Sequence, residues 1–162
     1  MAGPLVERMM GAARLDADTF EAVEHDPGAT GQAAAVVALV AVAQAIGASG
    51  TGAFGAMSAA GAALIGWLVW AGITYIIGTR VFGGVATWGE LMRTLGFAQA
   101  PGVLWILGFL PIIGWFLDLL LPVWIAIAGC IAIRQALDLD NGKALLTVIV
   151  GWFIYAALSF LF

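Results

Sequence analysis

The chain holds 162 residues, 63% of them hydrophobic and only 10% charged, with a mean hydropathy of +1.05 and a net charge of −4. Soluble domains carry about 25% charged residues, and a chain this short cannot hide so much apolar surface from water, so the bilayer must be its solvent. The negative charge argues against a nucleic-acid partner, which wants a basic face, and the single cysteine, Cys130, excludes an internal disulfide.

Residues 1–26 form the only long polar stretch, with Glu7, Arg8, Arg14, Asp16, Asp18, Glu21, Glu24 and Asp26. No uninterrupted apolar run marks a cleavable signal peptide. Asp18 followed by Glu21 fits a capping box opening a short helix, which Pro27 and Gly28 end. Leu5, Val6, Met9, Met10, Ala13, Phe20 and Val23 recur at helical spacing. This predicts either a helix lying on the membrane surface or a solvated tail whose few apolar residues cover the loops.

Between Pro27 and Thr79 there is no charged residue. The run predicts two spans, about 31–48 and 57–78, each near the ~20 residues that cross a hydrocarbon core. They are separated by a glycine-rich loop over 49–55. Ala34 with Ala38, Ala41 with Ala45 and Ser49, Ala59 with Ala63, and Ala62 with Gly66 form small-residue rows suited to close helix packing. Gly50, Gly52 and Gly55 match the GxGxxG spacing, but a dinucleotide site needs a preceding strand and a later acidic residue, and both are missing.

A loop follows over Arg80–Arg93. Gly83 and Gly84 supply a turn, and Thr87 with Glu90 makes a second capping box. Trp88 is expected at headgroup level, with Arg80 and Arg93 reaching to lipid phosphates. Residues 94–133 hold one charge, Asp118. They predict a third span from Thr94 to Leu110, a turn at Pro111–Gly114, and a fourth span from Trp115 to Ile133; a re-entrant hairpin is the alternative. Pro101 and Pro122 should kink these spans, and Gln99 could satisfy a carbonyl that Pro101 frees. A second loop, Arg134–Lys143, precedes a fifth span over 144–162, with Trp152 and Tyr155 in its middle. The expected fold is an all-α, five-span transmembrane bundle behind a short N-terminal helical segment (1–29), the membrane domain covering 30–162. All six basic residues then share one side, which the positive-inside rule makes cytoplasmic.

Little chemistry is available. The lone histidine, His25, lies in the tail, the apolar spans offer one carboxylate, and zinc sites need three or four ligands. No catalytic residue, metal or cofactor is expected. Arg80, Trp88, Glu90, Arg93, Arg134 and Lys143 are candidate contacts to lipid or a partner protein. Gln44, Gln99, Pro101, Asp118 and Pro122 are candidate intramembrane polar or kink positions, Asp118 lying at the outer headgroup level or within the span.

The runs Asp26-Pro-Gly-Ala-Thr-Gly-Gln32, Gly78-Thr-Arg-Val-Phe-Gly-Gly84, Leu91-Met-Arg-Thr-Leu-Gly-Phe-Ala-Gln-Ala-Pro101 and Arg134-Gln-Ala-Leu137 together resemble bacterial members of the Yip family. These are small five-span membrane proteins, named for eukaryotic relatives that bind Ypt/Rab GTPases. The resemblance implies a cytosolic N-terminus, a place in the bacterial inner membrane and no catalytic residues. The Asp-Leu-Tyr-Gly-Pro motif of eukaryotic members is not in this sequence. The expected function is a non-enzymatic membrane scaffold that binds lipid headgroups or a partner through its cytoplasmic loops, the expected partners being membrane lipids and either a second copy of the chain (a homo-oligomer) or another membrane or peripheral protein. The alternative is a small oligomeric channel or lipid/solute transporter lined by the third and fourth spans.

Overall fold

The computed structural model describes residues 4–47 and 52–159, with the side chains of 52–56, 59, 60, 111, 152 and 154–159 outside that description. Regular structure among the described residues is helical. The order is α1 (Leu5–Ala13), α2 (Ala17–Glu24), α3 (Ala29–Gly47), α4 (Gly52–Ile76), α5 (Trp88–Ala98), α6 (Pro111–Ala136) and α7 (Asn141–Ser159). A π turn over Ile77–Val81 extends α4, and a 3-10 helix over Ala100–Leu107 follows α5.

Three described helical stretches are long and apolar enough to cross a membrane: Ala29–Gly47, Gly61–Val81 and Ile112–Ala136. They fall on the first, second and fourth expected spans. α4 starts at Gly52, so Gly52 and Gly55 are helical where a loop was expected. Gly50 and Ser49 lie outside the described residues, as do 160–162 at the end of the fifth expected span. α7 contributes a shorter apolar stretch, Asn141–Gly151, and the side chains of Trp152, Tyr155 and Ser159 lie outside the description.

The third expected span is corrected. Instead of one helix over 94–110, α5 ends at Ala98 and the chain tightens into the 3-10 helix. Pro101 has no N–H to give the Phe97 carbonyl, so the i→i−4 ladder cannot continue. Shorter bonds replace it: Gln99 N–H donates to Gly96 O at 3.3 Å and Gly102 N–H to Gln99 O at 2.8 Å. The two-part rod still runs the length of α3, parallel to it. Gly96 lies against Ala33, Gly102 against Val40, and Gly108 against Gly47. A Cβ on Gly96 would stand 2.8 Å from the Ala33 Cβ, and one on Gly102 2.8 Å from Val40 Cγ1, so glycine is what permits this approach. Pro122 does lie inside a continuous helix, α6.

The face of α3 that packs is Ala29, Ala33, Val36, Val37, Val40 and Ala41, all buried. The expected Ala34–Ala38 row points elsewhere, and Ala38 is exposed. The core continues through Leu91, Leu95 and Phe97 of α5 and Ala128, Ala132 and Ile133 of α6.

The N-terminal segment packs into this bundle rather than trailing from it. Phe20 and Val23 of α2 are fully buried in the same core as Leu91 and Leu95. Trp124 Nε1 of α6 donates to Ala13 O at 2.9 Å, which pins the end of α1 to the middle of α6. The cap of α2 differs from expectation: Asp16, not Asp18, accepts the helix-opening bond, from Asp18 N–H at 3.3 Å, and it also accepts Thr19 Oγ1–H at 2.6 Å.

Candidate functional site

Two places in the molecule concentrate polar side chains. The first is the end of the bundle where the α2–α3 junction, the Arg80–Arg93 segment and the Arg134–Lys143 loop meet. The capping box at Thr87 is present in full: Glu90 N–H donates to Thr87 Oγ1 at 3.3 Å, and Thr87 N–H to Glu90 Oε2 at 2.7 Å. That cap starts α5 so that Arg93, one turn on, points at α2. Arg93 is therefore not at the headgroups as expected. It is 8% exposed, and its guanidinium donates through Nε to Val23 O at 3.2 Å and Glu24 O at 3.1 Å, and through Nη2 to Glu24 O. A buried cation is tolerated because carbonyl dipoles take its protons.

Other bonds fasten the same end. Arg8 donates to Asp26 Oδ2 at 2.7 Å and to Gln32 Oε1 at 3.1 Å, tying α1 to the start of α3. Gln135 Nε2 donates to Glu21 Oε2 at 3.0 Å. Val85 N–H donates to Leu137 O at 3.2 Å, joining the two expected cytoplasmic loops. Arg134 bonds Gln135 Oε1 at 3.1 Å and Asn141 Oδ1 at 3.2 Å, and Lys143 lies 3.8 Å from Asp140.

Glu24 is the anomalous group here. It is buried, and its Oε2 has no hydrogen-bond partner. Burial pushes its carboxyl up to about 7; His25 opposes the rise, and Glu21, Glu90 and Asp138 add to it. His25 is itself raised, chiefly by its hydrogen bond with the Glu21 carbonyl and then by the Glu24 charge. Asp26 is lowered, first by the hydrogen bond from Arg8. Among the described residues, no three histidine, cysteine, aspartate or glutamate side chains are grouped to hold a metal ion.

Of the candidate contacts, Arg80, Trp88 and Lys143 are exposed, Glu90 and Arg134 are half-buried and bonded, and Arg93 is inside. Trp88 also packs edge-on against Tyr75, with ring centroids 6.1 Å apart.

The second place is a cavity of about 490 Å³ in the middle of the bundle. Gln44 of α3 and Gln99, between α5 and the 3-10 helix, both line it, with Pro122 of α6 and the indoles of Trp67, Trp70 and Trp105. Trp67 Nε1 donates to Met92 O at 3.2 Å, whereas the Trp70 N–H is buried without an acceptor. The sequence marks both glutamines as polar positions within spans, whereas the three tryptophans carry no such mark. Pro101 is buried at the start of the 3-10 helix, and Asp118 stands exposed on α6; neither lines this cavity.

An all-helical bundle with three membrane-length apolar helices and its polar groups gathered at one end defines a helical membrane protein. The model of the Yip1 domain matches residues 15–162, nearly the whole chain, and the protein belongs to that family. The match begins at Leu15 and so takes in α2 and its contact with Arg93. No curated protein and no solved structure matches the chain.

Proposed function

We propose that this protein is a non-enzymatic membrane scaffold of Yip type, working through the polar end of its bundle. In this reading five segments cross the bilayer: α3, α4 with its π turn, the α5–3-10 rod, α6 and α7. The N-terminal helices, the Arg80–Arg93 segment and the Arg134–Lys143 loop face the cytoplasm, and the C-terminus lies outside a bacterial inner membrane. Lipid headgroups or a partner protein bind at that face, and the protein acts on them by holding them in place.

The supporting observation is the contrast within the segment that joins α4 to α5. One of its ends is fixed inside, through Arg93, and its middle is tied down by Val85 N–H to Leu137 O and by Phe82 and Ala86, which pack against the core. Yet it presents Val85 at 77% exposure and Trp88 at 41%, beside an exposed Arg80. Apolar and aromatic side chains next to a cation on a well-anchored segment suit the headgroup layer or a protein partner.

The test is reconstitution of the full chain into vesicles, with crosslinking from position 85 to lipid or protein neighbours. Arg80→Glu together with Trp88→Ala should lower crosslinking severalfold while the helical content stays unchanged. Crosslinking that is indifferent to both substitutions ends this reading. In the channel alternative Gln99 and Asp118 of the third and fourth spans would line one path; Gln99 lines the cavity and Asp118 does not. Ion or solute flux above that of empty vesicles, reduced by Asp118→Asn, would favour that alternative.

A further inference from the structure

We infer that the α1–α2 hairpin makes a water-filled notch in the flank of the bundle, sunk to half the depth of α6, and that this notch takes the headgroup of a zwitterionic phospholipid. The inference rests on the reading that α6 crosses the bilayer with its Arg134 end toward the cytoplasm. α1 and α2 run antiparallel about a tight turn: Leu15 has φ +64°, and a Cβ on Gly11 would run into the Thr19 side chain. Arg8 bonds Asp26 and Gln32 at the polar end, so α1 begins there and descends. Gln135 bonds Glu21 near the same end, so α2 climbs back to it. The turn over residues 14–16 is the low point.

Two helices measure how low. Trp124 Nε1 donates to Ala13 O, and Trp124 lies ten residues from Arg134 on α6, about 15 Å at the α-helical rise. Helical side chains lean toward the N-terminus, which for α6 is the far end, so the indole does not bring Ala13 back toward the polar end. On its other side α1 touches the 3-10 helix, which begins at Ala100, ten residues and again about 15 Å beyond Glu90. A hydrocarbon core about 30 Å thick puts the turn near its midplane.

Arg14, Asp16 and Asp18 are all exposed on this hairpin. Acyl chains cannot cover them, because an ionised side chain in hydrocarbon is costly; local thinning of the bilayer and entry of water relieve that cost. The Asp16 carboxylate is turned to Asp18 N–H and Thr19 Oγ1–H, which leaves Arg14 and Asp18 to meet a ligand. A cation and an anion on one turn, at the edge of the acyl chains, match a phosphate and an ammonium carried by one headgroup: Arg14 takes the phosphate and Asp18 the ammonium. The two aspartates outnumber the arginine, so a headgroup with phosphate and no ammonium is disfavoured.

The experiment uses the full chain in lipid nanodiscs, with Cys130→Ala and a bimane label placed by Arg14→Cys or Val123→Cys. Val123 is exposed on α6 at the same depth. Iodide, which stays in water, and phosphatidylcholine with a mid-chain nitroxide are the quenchers. The label at 14 should be quenched by both, and the label at 123 by the nitroxide alone. Native mass spectrometry then compares retention of phosphatidylethanolamine and phosphatidylglycerol of identical chains, supplied in equal amounts. The natural protein should keep the first severalfold better. Arg14→Leu together with Asp18→Leu should erase that preference with unchanged helical content, because both side chains lie on the surface. A label at 14 quenched by iodide alone lies in bulk water, and one quenched by the nitroxide alone lies in lipid; either result overturns the notch and leaves the spanning reading standing. A label at 123 open to iodide shows that α6 does not cross, and overturns both. Equal retention of the two lipids, or a preference that survives the double substitution, overturns the headgroup assignment. So does a dimer that retains neither lipid, which gives the flank to a second copy of the chain.

Discussion

The polar end and the central cavity solve opposite problems with the same material. At the end, ionisable groups crowd together, Arg93 is taken out of water, and most of them find a partner. Arg93 has its carbonyls, Arg8 has Asp26 and Gln32, and Gln135 has Glu21. In the middle, three indoles line a cavity between helices, and an N–H is left unsatisfied. Stability is thus concentrated where the chain is polar, and room is left where it is apolar. Between helices surrounded by lipid, hydrophobic burial contributes little, so hydrogen bonds and close fit carry the assembly, and gaps are tolerated where neither is needed.

The comparison predicts large losses at the polar end and small ones in the middle. Phe20→Ala should be the most damaging, because the ring is fully buried among Val23, Leu91 and Leu95; a loss of about 3–5 kcal/mol is the usual cost of such a cavity. Thermal unfolding in detergent reads it. Arg93→Ala should follow, at about 2–4 kcal/mol, since two carbonyls lose charge-assisted bonds inside the protein. Limited proteolysis between residues 13 and 29 should accelerate in step. Arg93→Lys should restore only part, because an ammonium cannot reproduce the planar fork. An Arg93→Ala variant as stable as the natural protein would remove the contrast altogether.

The third prediction concerns pH. Glu24 sits near 7 against an ordinary 4.5, so the folded chain keeps a proton that the unfolded chain releases in between. Stability should fall as pH rises from about 4.5 to 7 and stay lower above that. Glu24→Gln should flatten most of this slope and raise the melting temperature at pH 8. His25, also raised, works in the same direction: its contribution is present at low pH and lost as pH rises through its folded value, so it leaves the residual slope. Asp26 acts outside this window, because a lowered carboxylate loses its contribution only on acidification below its ordinary 3.8. A variant whose slope matches the natural protein's would show that Glu24 is not the group being titrated.

Smaller effects sharpen the picture. Thr87→Ala removes the cap of α5 and should cost about 1 kcal/mol, visible as a modest shift in melting. Thr74→Val, in the apolar middle, should be neutral or slightly stabilising, within about 0.5 kcal/mol, because the Thr74 hydroxyl is buried without a partner and valine has nearly its shape. A clear loss from Thr74→Val would mean that the hydroxyl is engaged after all.

Much of the architecture is legible in the residues. Apolar runs of span length with at most one charge locate α3, α4 and α6 to within a few positions, and the Thr87–Glu90 spacing finds the start of α5. The break at Ala98 is partly legible, since Pro101 signals a disturbance, but nothing in the string says that a 3-10 helix rather than a kinked α-helix follows. α2 is illegible as core. Only Phe20 and Val23 distinguish it from a solvated acidic segment, and what buries them comes from α5 and α6, far along the chain. Arg93 is misread for a related reason: an arginine beside an apolar run looks like a headgroup anchor, and its acceptors are main-chain oxygens 70 residues earlier. The cavity tryptophans left a usable trace. Trp67 and Trp70 lie three apart in the middle of a long uncharged run, where interfacial anchoring does not explain them.

The arginine that fastens α2 grips only main-chain oxygens. Such a grip is blind to the identity of the side chains at 23 and 24 and asks only that the helix end there with its peptide groups turned toward the bundle. Position 24, unlike the core residue Val23, is therefore free to vary in chemistry without loosening the latch, and a charged or titrating group can be carried there as a passenger rather than as a structural necessity.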